Sequence, residues 1–379
     1  MVKKQKIFIE ATPLTNTHLS GVGQVVLETI RAFDNDVYRD EYDIRAFVPF
    51  DEKEKMSKYT FRNIKIVSLP FPHKFLSLFA RLPVAVPLDL VLGRGLYIFP
   101  NFRNWNLAFS RSVTYIHDVC FAIYPEYVQP RNLNFLKKYI NMWIGRTNRI
   151  ITVSHTSKKE VNEYLNVPTD TIDVIENTID TTFYSPQDAK EVARVKQLYD
   201  LDNYLLFIGN IEPRKNLTTL IDAFEKAEIK KPTTLFIVGG DGWLNDKIYK
   251  KIDHAVSLGL DVRKNASYIP DEDLPGLLTG ANALILPSWH EGFGLPALQA
   301  VACGTKAICA DIPALRELSG KYETVFDFFD PSNSEALAQL LYTYADKKVL
   351  TKPANITRTW RDATDELLVV SQRMKRSHS

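Results

Sequence analysis

The chain is poor in cysteine. Its three thiols, Cys120, Cys303 and Cys309, form no Cys-x-x-Cys pair and no even set. That excludes a disulfide scaffold and a zinc knuckle, and it predicts reduced, buried thiols in a cytoplasmic protein. Net charge is also scarce, +2 from 47 basic and 45 acidic residues in 379. No overall field therefore calls for nucleic acid as a partner. No stretch supplies the roughly 18 uninterrupted apolar residues of a membrane-spanning helix. The first ten residues, with Lys3, Lys4 and Lys6 among them, lack the apolar core of a secretory signal. Repeats and low-complexity tracts are missing. What remains is a soluble chain long enough for roughly two to three domains.

One stretch organises the rest: Trp289-His290-Glu291-Gly292-Phe293-Gly294-Leu295-Pro296-Ala297-Leu298-Gln299-Ala300. It follows a short apolar run, residues 283–286, that reads as a buried strand. It leads into a helical pattern with Pro296 in the first turn, where proline is tolerated. A strand, a Gly-rich turn carrying an acid and a helix start make a ligand corner of an α/β sheet. Ligands lie outside the carboxyl ends of such strands, and the N–H groups of a helix start attract anions. Gly292 and Gly294 permit positive φ or close backbone approach. The same residues also suit an ordinary strand-to-helix turn, so the neighbouring pattern decides.

In the first half, residues 6–11 read as a strand, followed by Gly21-Val22-Gly23 and a helical pattern through Phe33. Val26 stands where a dinucleotide fingerprint has its third glycine, so the NAD reading is weak. Further strands are expected at 44–48, 64–69, 96–99, 112–116, 149–153 and 171–175, separated in part by helices. A mostly parallel, doubly wound sheet follows. His117-Asp118 comes at the carboxyl end of the strand at 112–116, where His117 can bond a sugar hydroxyl and Asp118 can orient it or accept a hydroxyl hydrogen bond. A structural His-Asp pair capping the next turn is the other reading. Ser154 to Ser157 reads as an N-cap region, His155 included. Residues 71–82 mix aromatics, leucines and bases and run on to Arg94. They suit either an amphipathic membrane-surface segment or a core-facing helix with snorkelling bases.

The passage from Asn177 through Asp180 to Pro186 reads as a linker. A second α/β series follows it. The strand at 204–208 leads into Gly209-Asn210-Ile211-Glu212-Pro213-Arg214-Lys215-Asn216 and a helix at 217–227. Arg214 and Lys215 place a planar fork and a point charge at a strand end, a pair suited to a diphosphate. The run 235–238 ends in Gly239-Gly240, which can pass close beneath a base or ribose. Strands are also expected at 266–269 and 306–310. A helix is expected at 354–370 with Trp360, Leu367 and Leu368 as anchors, and 373–376 as a frayed tail.

These pieces together resemble the retaining glycosyltransferases of family 4, over nearly the whole chain. The resemblance rests on the Gly21-Val22-Gly23 loop and on His117-Asp118 followed by Tyr124-Pro125-Glu126. It rests also on Ile151 to Ser154, on Gly209-Asn210 with Arg214-Lys215-Asn216, and on Pro287 to Pro296. The His-Asp variety is most similar to polysaccharide and O-antigen mannosyl- or glucosyl-type transferases. It implies the GT-B fold, two Rossmann-like domains with parallel sheets facing across a cleft. Residues 1–183 with 354–379 would bind the acceptor, and 184–353 the donor, a GDP- or UDP-sugar with GDP-mannose first. The acceptor would be a glycan or lipid-linked glycan. The enzyme would be cytoplasmic or peripheral on the cytoplasmic membrane face.

By the same resemblance, Arg214 and Lys215 bind the diphosphate and stabilise it as a leaving group. Glu291 and His117 contact the donor sugar. Gly21, Gly23, Gly209, Asn210, Gly239, Gly292, Phe293, Gly294 and Leu295 shape the nucleotide-sugar site. Retention would follow front-face attack, with the leaving phosphate helping to take the acceptor proton. The family pattern is Glu, seven residues, Glu, and here Gln299 stands at the second position. An uncharged amide there weakens a ribose contact by about 1 kcal/mol. Asp34-Asn35-Asp36 and Asp200-Leu201-Asp202 have metal-binding spacing but read as solvated turns, so no metal or other cofactor is expected. A sugar-nucleotide epimerase and a non-catalytic binding subunit are the alternatives.

Overall fold

A computed structural model describes residues 4–265, 268–322, 326–346, 349 and 351–376. The chain divides into two compact units. One comprises Met1–Val119, Arg131–Asn177 and Thr359–Ser379; the other comprises Cys120–Pro130 and Thr178–Arg358.

The first unit holds β1 (Gln5–Glu10), β2 (Tyr42–Pro49), β3 (Lys65–Leu69), β4 (Leu96–Phe99), β5 (Arg111–Tyr115), β6 (Arg149–Thr152) and β7 (Ile172–Val174). They pair in parallel in the order β3-β2-β1-β4-β5-β6-β7. The direction of winding reverses between β1 and β4, the place where open α/β sheets open a crevice. Strands covered on both faces read as continuous apolar runs. Leu96, Tyr97, Ile98 and Phe99 of β4 are accordingly all buried. On one face Phe8, Phe47, Tyr97, Phe99 and Trp105 form an aromatic core, with Phe8 and Tyr97 stacked at 4.7 Å.

The helix Trp360–Arg376 belongs to this unit. Tyr38 Oη donates to Asp365 Oδ1 at 2.6 Å and lies 3.0 Å from Thr364 Oγ1. Its bounds correct the expected 354–370 at both ends. Thr359 and Asp362 exchange reciprocal bonds of a capping box, which sets the start at Trp360. At the other end Met374 is buried, so 373–376 is helix and not a frayed tail.

The second unit holds β8 (Tyr204–Ile208), β9 (Thr234–Val238), β10 (Val262–Lys264), β11 (Ala283–Leu286), β12 (Lys306–Ala310) and β13 (Phe326–Phe329). The order is β10-β9-β8-β11-β12-β13, again parallel, reversing between β8 and β11. Leu205, Leu206, Leu284 and Ile285 are fully buried at its centre. Each contributes about 1.5–3 kcal/mol on that account. The strand expected at 266–269 is instead β10. Ala266 and Ser267 lie outside the described residues, and Tyr268 to Pro270 form no strand. As an edge strand, β10 carries Arg263 and Lys264, paired to Asp261 and Asp241, and so lacks an apolar run. The edge strand β13 was not anticipated from the sequence.

Bonds across distant residues draw the short outlying segments into this unit. The Trp243 Nε1–H donates to the Tyr127 carbonyl at 2.7 Å. The Ala354 N–H donates to Val301 at 2.9 Å, and Thr178 Oγ1 donates to Arg358 at 2.7 Å.

Candidate active site

The densest charge in the second unit sits at the carboxyl ends of β8 and β11, on either side of the winding reversal. After β8 the backbone turns through Gly209 and a 3-10 turn, Pro213–Lys215. Asn216 then enters the left-handed region at φ +55° and opens the helix Leu217–Lys226. After β11 the chain passes Ser288 and Glu291, turns at Gly294 with φ +101°, and enters the helix Leu295–Ala302. The two loops are laced together. Asn216 Nδ2 donates to the Pro287 carbonyl at 3.0 Å, and the Trp289 N–H donates to the Arg214 carbonyl at 2.9 Å.

Within that frame two cations and two carboxylates interlock. Lys215 Nζ donates to Glu291 Oε1 at 2.6 Å, and Ser288 Oγ donates to the same oxygen at 2.6 Å. Arg214 Nη1 reaches Glu291 Oε2 at 3.2 Å and the His290 carbonyl at 2.8 Å. Arg214 Nε and Nη2 grip Glu212 Oε1 at 3.0 and 2.8 Å. Glu212 and Glu291 are buried, with side chains 3% and 8% exposed. Burial alone would raise the Glu291 pKa, but the Lys215 and Arg214 cations and the Ser288 bond outweigh it and hold it at about 2. At neutral pH the four charges therefore cancel within the loop pair. A buried ionic network of this kind fixes geometry more than it adds stability.

The glycines of the second unit have structural reasons of their own. A Cβ on Gly239 would lie 1.9 Å from the Gly209 carbonyl oxygen. The ends of β8 and β9 approach so closely that glycine is required there. Gly209 N–H donates to Val238 at 2.9 Å and Gly239 N–H to Asn265 Oδ1 at 2.9 Å, which closes this floor. Asn210 is exposed beside it, Phe293 is buried, and Leu295 is half-buried. Gln299 is half-buried on the helix Leu295–Ala302. Residues 120–130 add aromatic rings to the same unit. Tyr127 stacks near Trp289 at 6.3 Å, and Tyr124 lies 6.2 Å from the His290 ring.

In the first unit the expected residues lie at two strand ends. Gly21 opens the helix Gly21–Phe33, whose Ser20 N-cap accepts from the Gly23 N–H at 3.2 Å. Gly23 is tightly enclosed, since a Cβ would meet Leu19 Cδ2 at 3.1 Å and the Pro13 carbonyl oxygen at 3.3 Å. Gly21 has no atom within 4 Å of that position. His117 follows β5. Its Nε2 lies 2.8 Å from the Pro100 carbonyl oxygen, so Nε2 carries the proton and donates, and Nδ1 is the acceptor. This carbonyl orients the ring through Nε2. Burial lowers the His117 pKa, more than the Pro100 bond and Asp118 raise it. The ring is neutral at physiological pH. Ser157 Oγ donates to the His117 carbonyl at 3.0 Å, and Ser154 caps the helix His155–Leu165 as expected.

Sequence reasoning missed two members of the ionic array. Glu212 stood in the quoted loop, two residues before Arg214. Ser288 stood three before Glu291. Their proximity in the chain was the available signal, but only the folded loops show which oxygen each cation takes. The two Asp-x-Asp stretches hold loops: Asp34 Oδ2 accepts from the Arg62 N–H at 2.8 Å, and Asp200 pairs with Arg263 at 3.0 Å.

The chain is similar to known proteins along most of its length. Residues 19–183 match the model of Glycosyltransferase Family 4, and residues 188–359 match that of Glycosyl transferases group 1. The chain is 32% identical over 256 residues to O-antigen chain mannosyltransferase B of Escherichia coli, across 66% of this chain and 65% of that one. It is 29% identical to O-antigen chain mannosyltransferase RfbU of Salmonella typhimurium, across 54% and 53%. The matches thus span less than two thirds of these relatives. Among solved structures, Anabaena HepE in complex with UDP-glucose superposes with a TM-score of 0.65 at 17% identity, covering 98% of this chain and 99% of that one. WaaG, a glycosyltransferase involved in lipopolysaccharide biosynthesis, gives 0.63 at 14%, covering 95% and 94%. With two parallel-sheet Rossmann-like units of GT-B type and family models matched along both, the chain belongs to the glycosyltransferases of family 4.

Proposed function

We propose that the chain is a retaining, metal-independent hexosyltransferase. It moves mannose from a nucleoside diphosphate sugar, GDP-mannose first and UDP-hexoses next, to a hydroxyl of a glycan or lipid-linked glycan. The observation that carries this reading is the array of Glu212, Arg214, Lys215, Ser288 and Glu291 at the β8 and β11 ends. Breaking the glycosidic bond to the diphosphate releases negative charge on phosphate oxygens. A preorganised guanidinium and ammonium in a water-poor site stabilise that charge without moving. They thereby do the work a metal ion does elsewhere, and the helix start after Gly294 adds its dipole. Lys215 has three N–H donors, one of them on Glu291, so it can bind a phosphate oxygen without leaving the array. Neutral His117 is assigned to a sugar hydroxyl through Nδ1. Retention is taken from the family resemblance, and mannose is favoured by the two O-antigen relatives. A lipid-linked acceptor also calls for peripheral contact with a membrane surface.

The test is thermal denaturation with GDP, UDP, ADP and NAD, on wild type and on Lys215→Ala. A nucleotide binding the native state alone adds about 2.7 kcal/mol at a hundredfold excess over Kd. The expected result is a rise in Tm with GDP that the variant loses. Incubation with GDP-mannose and acceptor should then release GDP and an α-linked product. A rise with NAD alone, or an altered nucleotide sugar with no glycoside, would overturn the transferase.

A further inference from the structure

The carboxyl ends of β1 and β4 flank the winding reversal of the first unit, the place where such sheets take ligands. Two charged residues there have no role so far. Glu10 ends β1 and is buried. Its Oε1 accepts from the Thr12 N–H at 2.8 Å, which ties the carboxylate to the turn that follows. β4 runs into Pro100-Asn101-Phe102-Arg103. This segment is pinned on both sides of Arg103. The Pro100 carbonyl accepts from His117 Nε2 at 2.8 Å. Asn104 Nδ2 donates to the Trp143 carbonyl at 2.7 Å and to Thr114 Oγ1 at 3.1 Å, and Trp105 Nε1–H donates to the Leu76 carbonyl at 2.7 Å. Arg103 is therefore presented by a fixed backbone.

The guanidinium so presented is half-buried, yet among the described residues no oxygen accepts a hydrogen bond from it. Arg45, Arg149 and Arg214, also half-buried, each grip a carboxylate. Arg103 lies instead over the Phe135 ring at 5.6 Å, and Arg81 lies over the same ring at 5.1 Å. Burial disfavours the Arg103 cation, Glu10 supports it, and Arg81 opposes it. Burial also raises the Glu10 pKa, more than its Thr12 bonds and the Arg103 charge lower it. The charged corner of the second unit cancels to zero. This cluster of two cations and one carboxylate is left with one positive charge and an open fork.

A free guanidinium fork takes a carboxylate or a phosphate in two parallel bonds, and a carboxylate beside it accepts from a hydroxyl. We infer that this crevice reads an acidic acceptor. Arg103, supported by Arg81, binds a carboxylate or phosphate ester carried by an acceptor sugar, and Glu10 accepts from a hydroxyl of the same sugar. The inference rests on the transferase reading above and extends it from a glycan acceptor to an anionic one. His117 bonds the same backbone segment, so the acidic sugar is read next to the imidazole assigned to a sugar hydroxyl.

The experiment is isothermal titration of the full chain, without nucleotide. The probes are methyl α-glucuronide, mannose 6-phosphate, methyl α-mannoside, inorganic phosphate and geranyl diphosphate. One of the two acidic sugars should bind at least about tenfold more tightly than methyl α-mannoside. Arg103→Gln should remove that preference, and Arg103→Lys should restore part of it. Glu10→Gln should weaken the acidic sugar and not inorganic phosphate, a split that lost packing would not produce. The wild type gives a second readout: the Arg103 Nε–H resonance, identified by its loss in Arg103→Lys, should shift when the acidic sugar is added. Equal binding of neutral and acidic sugars, or an Arg103 resonance that stays in place, would overturn the inference. So would inorganic phosphate binding as tightly as the acidic sugars, which would make this a general anion site. Binding of geranyl diphosphate and of neither acidic sugar would give the fork to a lipid carrier and overturn it too. A chain that binds the acidic sugar but shows no rise in Tm with GDP would count against the donor reading alone.

Discussion

Two strand-end corners, one in each unit, solve different problems on the same kind of sheet. The corner after β8 and β11 gathers four charges whose sum is zero. The corner after β5 carries one imidazole, kept neutral by burial and bonded to a backbone carbonyl, with the Asp118 carboxylate next to it in the chain. Parallel topology supplies both places and chooses neither chemistry. The charged corner can meet an anion without paying to assemble its cations, because the carboxylates already hold them. The imidazole corner presents a hydrogen-bond acceptor suited to a hydroxyl. On the reading proposed above, leaving-group charge and sugar recognition are thus given to different elements.

The comparison breaks most visibly at Lys215. Lys215→Ala leaves Glu291 buried with one cation fewer, so stability should fall by on the order of 3 kcal/mol. Transferase kcat should fall about 10²–10³-fold. Steady-state kinetics beside thermal denaturation would check both, and a variant with wild-type kcat would remove Lys215 from the chemistry. Glu212→Gln probes the array from its other end. It keeps an oxygen for Arg214 but removes the charge. Donor KM should rise about tenfold, with kcat less affected. Glu212→Asp should recover part of the loss. A change in stability with no change in donor KM would make Glu212 purely structural.

The imidazole corner is sharpened by pH. The His117 pKa is lowered in the folded chain, so the unfolded chain takes up the proton first as pH falls. Its contribution is complete above the unfolded value of about 6.5 and is lost progressively below it. Glu291, at about 2, has a contribution that is complete above its unfolded value near 4.5 and is lost as pH falls through about 2. Melting curves of wild type and His117→Gln between pH 8 and 5 should therefore diverge at the alkaline end and converge toward acid. A constant gap would mean that His117 does not titrate differently on folding. The smallest effect is expected at Gln299. Gln299→Glu should keep or improve nucleotide affinity, by up to about 1 kcal/mol, as isothermal titration would register. A large loss would show that the amide is read as a donor.

Much of this was legible from residue order. Buried parallel strands are continuous apolar runs, so β4, β8, β11 and β12 stand out, with the loops that follow them. The two edge strands of the second unit give no such signal: β10 carries Arg263 and Lys264, and β13 is interrupted by Asp327 and mostly half-buried. The glycines were visible as glycines, but not their reasons. Gly239 is needed because the Gly209 carbonyl lies against it, and Gly23 because Leu19 and Pro13 enclose it. The start of the helix Trp360–Arg376 was misplaced because its hydrophobic pattern was followed in preference to the Thr359–Asp362 box.

By itself the sequence determined the class of the fold, the linker between two α/β series, and the residue types gathered at the charged corner. Those depend on periodicity and on chain neighbours, which a string of residues records. Only the tertiary structure decided which carboxylate holds which cation, that Glu212 and Ser288 complete the array, and that Pro100 fixes the His117 tautomer. Hydrogen bonds of 2.6–3.2 Å between residues as far as 77 positions apart depend on where the backbone sets each side chain, and spacing along the chain does not contain that distance.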